Sequence, residues 1–210
     1  MALNANQMAE DMKIALGFVT EPTSEENKNM AADIIAHLQT GVVSHAPGTV
    51  TGIAPPSGGP LINGAASNGI IVLVPADLVA RFVATFKIST PEIIGMATAI
   101  STHLITGLVS FSTGSITGIC SNTAVNPGTL IGEGVGGTIN GLDGAAMASL
   151  MANLMGKPGT TPELESMTGA IVSHIQNNAE VTYLTGSVTG TASAGGGPII
   201  AGTAVSGSIA

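Results

Sequence analysis

Three segments of this chain, MAADIIAHLQTG, MATAISTHLITG and MTGAIVSHIQNN, set Met30, Met96 and Met167 each seven residues ahead of His37, His103 and His174. A Gly-x-x-x-Gly follows each histidine: Gly48 and Gly52, Gly114 and Gly118, Gly186 and Gly190. A proline comes next (Pro60, Pro127, Pro198), and then a glycine pair five apart: Gly64 and Gly69, Gly132 and Gly137, Gly202 and Gly207. Offsets shared in one order mark an internal repeat, in which each copy is a supersecondary unit that buries its apolar face against its neighbours. The expectation is three tandem copies, 1–74, 75–142 and 143–210, fused around a shared core. Repetition also argues against an enzyme, because chemistry usually needs unlike residues converging once.

Each copy opens with a helical pattern: Met8, Met12 and Leu16 in the first, Leu78, Phe82 and Phe86 in the second, Met147, Met151 and Met155 in the third. Spacings of four place these on one apolar face, and the methionines read as core filling. A second helix begins at Ser24-Glu25-Glu26, Thr90-Pro91-Glu92 and Thr161-Pro162-Glu163. There a hydroxyl can cap orphan N–H groups, proline's fixed φ suits the first turn, and the carboxylate faces the positive end of the dipole. The segments VVSHAPGTVTGIA, LVSFSTGSITGIC and VTYLTGSVTGTA then read as short hairpins around a glycine turn, with His45, Phe111 and Tyr183 aligned as packing residues. One more extended segment closes each copy. The fold class is α+β: each copy has two helices followed by two or three antiparallel strands, and a pseudo-threefold arrangement is open to it.

Charge narrows the partners. Five basic residues against thirteen acidic ones leave no Lys/Arg cluster for phosphate, so nucleic acid is not an expected partner. The extended segments, 41–74, 107–142 and 181–210, contain only Glu133 as a charged side chain. Soluble strand edges are normally guarded by charge, so uncharged strands are expected to meet other subunits by strand addition, with Thr51, Thr117 and Thr189 at matched edge positions. No apolar run reaches the length of a membrane span, and MALNANQMAEDMK lacks the basic and apolar regions of a secretory signal. Cys120 aligns with Ala54 and Ala192, the pattern of a small buried residue.

The candidates for chemistry are few. His37, His103 and His174, if turned toward one axis, would make a three-histidine metal site; the alternative is a neutral imidazole on the apolar helix face, bonded to a strand carbonyl. Gly132-Glu133-Gly134-Val135-Gly136-Gly137 matches the dinucleotide fingerprint, but Thr138-Ile139-Asn140-Gly141 behind it reads as strand and turn rather than a helix start. No serine lies in a nucleophile elbow. No catalytic residue, cofactor or metal is therefore expected.

Alanine-rich helices such as MAADIIAHLQTG followed by Gly/Thr/Ser/Ala-rich strands such as GTVTGIAPPSGGPLINGAASNG, with low charge, resemble the virion structural proteins of tailed bacteriophages. The resemblance implies a capsid, tail, collar or baseplate accessory role in a symmetric homo-oligomer, located in the virion after synthesis in a host cytoplasm. Its partners would be copies of itself and other virion proteins, with no membrane. The expected function is structural, acting through neutral strand edges and apolar helix faces. The alternative is a small-ligand or metal-binding protein built on the three histidines.

Overall fold

The structure, a computed structural model, describes residues 3–210; Met1 and Ala2, the first residues of the expected first copy, lie outside them. Six helices, α1 (Ala5–Ala15), α2 (Glu25–Gln39), α3 (Pro75–Phe86), α4 (Pro91–Leu104), α5 (Gly144–Leu154) and α6 (Pro162–Asn178), gather into one compact unit. The strands form the second: β1 (Val42–Ala54), β3 (Ile62–Val72), β4 (Leu108–Cys120), β5 (Gly128–Asn140), β6 (Val181–Ala192) and β8 (Ile200–Ile209), with the two-residue β2 (Gly59–Pro60) and β7 (Gly197–Pro198). The compact units therefore run across the sequence copies, each copy giving its helices to one and its strands to the other.

In the helical unit every helix packs on its chain neighbours and α1 closes against α6, so the six form a ring. The caps read in the sequence are present: Ser24, Thr90 and Thr161 side chains accept from the backbone N–H of Asn27, Ile93 and Leu164. Met8, Met12, Met147 and Met151 are fully buried, as core filling requires. Close approach explains one glycine, because a Cβ on Gly95 would lie 2.4 Å from the Leu154 carbonyl oxygen. Among the described residues no helix is long and apolar enough to cross a membrane.

The six long strands close into an antiparallel barrel in the order β3-β1-β8-β6-β5-β4, with β4 returning to β3. Two expectations change here, and the reading of the glycine-rich motif holds. VVSHAPGTVTGIA, LVSFSTGSITGIC and VTYLTGSVTGTA are not hairpins; each is one continuous strand. The glycines at their centres, Gly48, Gly114 and Gly186, have φ of 90°, 89° and 91°, and the register to the neighbouring strand shifts beside each of them. A two-residue hairpin turn of type I′ needs positive φ at two successive residues, whereas one positive φ makes a bulge that bends the strand without reversing it. Closure also removes the free edges expected at Thr51, Thr117 and Thr189: Thr117 is paired with Glu133 and Thr189 with Ile131 inside the wall. Contacts made by this wall must therefore come from outward side chains rather than unpaired backbone. Finally, Gly132–Gly137 lies wholly inside β5, so no helix N-terminus stands behind the dinucleotide-like motif.

Candidate functional site

The expected metal ligands do not come together: among the described residues no three His, Cys, Asp or Glu side chains are placed to hold a metal ion. Nor are His37, His103 and His174 bonded to strand carbonyls. Each is buried at the C-terminal part of its helix and reaches the next helix around the ring: α2 to α3, α4 to α5, and α6 back to α1. From α2, His37 Nδ1 meets Asp77 Oδ2 of α3 at 2.9 Å. From α4, His103 Nε2 accepts the backbone N–H of Asp143, the α5 N-cap, at 3.0 Å. From α6, His174 Nδ1 meets Asp11 Oδ2 of α1 at 2.8 Å while Nε2 accepts the backbone N–H of Asn4, the α1 N-cap, at 3.4 Å. A buried imidazole bonded to another helix is a directional fastener; His37 and His174 fasten through both ring nitrogens and His103 through Nε2.

Around His37 the partners line up as Ser101, His37 and Asp77, with Ser101 Oγ 2.8 Å from Nε2. That is the bonding order of a nucleophile triad, which is recognised by geometry rather than sequence. Here the serine is fully buried inside α4, so its hydroxyl has no surface on which to meet a substrate. Asp77 also accepts from Arg81 Nε at 2.9 Å; the bonds from His37 and Arg81, in that order, hold its carboxyl below the usual carboxylate range. Burial pushes the His103 imidazole down, against an opposing pull from Asp143, in keeping with a neutral ring that accepts a backbone N–H.

The side chains that do converge are the aligned strand residues. His45, Phe111 and Tyr183, on β1, β4 and β6, are buried in mutual contact, with ring centroids 5.8, 5.6 and 5.3 Å apart for the three pairs. The Tyr183 hydroxyl donates to His45 Nδ1 at 2.7 Å, and His45 Nε2–H donates to the Val109 carbonyl at 3.2 Å. That assignment leaves the imidazole neutral with both nitrogens used. Burial lowers the His45 pKa, more than the Val109 carbonyl raises it, and burial pushes the Tyr183 hydroxyl far up. The repeated Gly69, Gly137 and Gly207 now have a physical role. A Cβ there would stand 2.4 Å from the His45 ring, 2.4 Å from Phe111 and 2.7 Å from Tyr183, so each glycine is the floor on which one ring lies.

Sequence reasoning identified His45, Phe111 and Tyr183 as packing residues but not as one cluster, and it missed Ser101, Asp11 and Asn4 altogether. Their partners are distant in sequence, where no local spacing records them. Cys120 is buried with Ala54 and Ala192, as their alignment implied, and burial raises its thiol pKa. Comparison with protein-family models, with curated proteins and with solved structures finds no match to this chain.

Proposed function

We propose that the chain is a non-enzymatic structural protein of a symmetric assembly, built as three fused copies of one helix-helix-strand-strand unit about a pseudo-threefold axis. The setting proposed for it is a tailed-bacteriophage virion, the source of the sequence resemblance.

One observation carries the reading: charge is almost absent from the barrel unit. It contains no lysine or arginine and only Glu133 and Glu180 among acidic residues, while its surface exposes Ile53, Ile70, Ile119, Ile131, Leu184 and Val205. A soluble wall that meets only water normally mixes both signs of charge. The cyclic order supports the fused-copy part of the proposal. Strand pairs run within and between copies in turn, the three helix histidines each reach the following copy, and Gly69, Gly137 and Gly207 each meet a ring of their own copy. The second copy departs locally, because Asn63 and Ala201 have φ of 52° and 51° with no counterpart at Ile131.

The test is to quantify this chain by mass spectrometry in purified particles and by immunogold labelling on them. A constant ratio to another particle protein is the expected result; absence from particles refutes the assignment. The fused-copy reading has its own test in a circular permutant that joins Ala210 to Met1 and opens between Leu73 and Val74. Equivalent copies predict that it folds with the parent's helix and strand content.

A further inference from the structure

We infer that one belt of the barrel wall is a surface on which copies of this chain pack side by side, giving an oligomer larger than a dimer. The inference rests on the assembly reading above and names its contact.

The strand register draws the belt. Ile119 on β4 is opposite Pro60 on β2 and opposite Ile131 on β5; Ile131 is opposite Thr189 on β6. Thr191, two residues along β6, is opposite Ile200 on β8, and Pro198 on β7 is opposite Ile53 on β1, whose other neighbour β3 carries Ile62. Five isoleucines thus encircle the barrel at one level, from 45 % exposed at Ile53 to 59 % at Ile119. Ile119 and Ile131 are directly opposed and Thr189 and Thr191 lie between Ile131 and Ile200, so side chains this apolar and this exposed at one level of the wall make a patch rather than scattered residues.

Two features select a second copy as the occupant. First, the belt provides both halves of a contact. Gly118 and Gly132 face each other next to Ile119 and Ile131, and the bare backbone there floors a groove of about 340 Å³; Gly190 helps floor another, of about 430 Å³, between Ile131 and Thr191. Protruding isoleucines beside glycine-floored grooves are complementary to the same surface on another molecule, the condition for a self-association contact. Second, the chain has a net charge of −8, and the barrel unit holds only Glu133 and Glu180 of it. Two such chains repel through their helical units, whereas at this belt Glu133, which accepts from Thr185 beside the first groove, is the one charged side chain lining either groove. A belt that goes all the way round leaves apolar surface uncovered after one neighbour binds, so more than one neighbour is expected.

Sedimentation velocity of the full chain, from micromolar to near-millimolar concentration, tests this directly. The parent should sediment as a species larger than a dimer. Ile53→Lys and Ile200→Lys, on the belt away from Glu133, should weaken association about tenfold or more, because a buried unpaired ammonium opposes the contact. Ile70→Lys, equally exposed but outside the belt, should associate like the parent, and circular dichroism should show all three variants folded. A parent that stays monomeric, belt variants that associate like the parent, or an Ile70→Lys that disrupts association equally, each overturns the inference. A monomeric chain that is nevertheless present in particles at a constant ratio would remove this contact and leave the assembly reading standing.

Discussion

In the helical ring, histidines are held from the next copy by carboxylates, by a serine hydroxyl and by the backbone N–H of helix N-caps; in the barrel, His45 is held by a tyrosine hydroxyl and a carbonyl, with no ion in the cluster. The two units close in the same cyclic order yet use opposite chemistry. A helix start offers unpaired N–H groups and tolerates a carboxylate, so a buried imidazole can be fastened there. In a barrel interior the N–H groups are committed to the ladder but a carbonyl has a second lone pair, so His45 finds one acceptor in Val109 and needs Tyr183 for the other nitrogen. The difference explains why one unit carries nearly all the charge and the other can dispense with it.

The sharpest way to break this comparison is to empty the barrel cluster. Tyr183→Ala removes the largest fully buried side chain and should cost about 3 to 5 kcal/mol, read by urea or thermal unfolding. A loss as small as that of a surface change would mean that the three rings are not the barrel's core.

His45→Phe should cost about 1 to 3 kcal/mol, because the Tyr183 hydroxyl and the Val109 carbonyl lose their partner. Adding Tyr183→Phe should recover part of that loss, since an apolar cluster without the orphaned hydroxyl is again satisfied. Additive losses in the double variant would show that the two side chains are not coupled.

In the helical unit His103→Ala should also cost about 1 to 3 kcal/mol by removing a buried ring and leaving the part-buried Asp143 N–H without its acceptor, and no metal should be released. Elemental analysis finding a stoichiometric metal in the parent would overturn the fastener description of these histidines.

Smaller effects separate histidine from carboxylate contributions by pH. His45 and His103 are depressed by burial from an ordinary 6.5, so the unfolded chain binds their protons first; the stability they contribute is full above that value and falls as pH drops below it toward their folded values. Asp77 is depressed from an ordinary 3.8 by His37 and Arg81, so its contribution is present above that value and is lost only as pH falls through its lower folded one. Unfolding curves across this range should lose stability in two windows, and His45→Phe should shrink only the upper one. Arg81→Ala, at a partly exposed ion pair, should shift stability by less than about 1 kcal/mol.

Much of the local structure was legible because it is written in contiguous residues. The caps at Ser24, Thr90 and Thr161 and the methionine faces of α1 and α5 depend on neighbours three or four positions away. The bulges at Gly48, Gly114 and Gly186 were misread for a related reason: a glycine between β-branched residues permits a reversal or a bend, and which occurs depends on where the flanking strand finds its partner. For β1 that partner is β8, from the other end of the chain.

The matched offsets from Met30 to Gly69 and their counterparts, read from sequence alone, set the same residue types in one order three times and put His45, Phe111 and Tyr183 at like offsets. Only the tertiary structure decided that helices and strands of different copies part company into a ring and a barrel, that the three strand positions converge while the three helix histidines do not, and that the strands have no free edge. The physical reason is that ring closure and barrel closure are nonlocal: they are settled by which copies can pair their backbone and share a core, and no run of neighbouring residues records that.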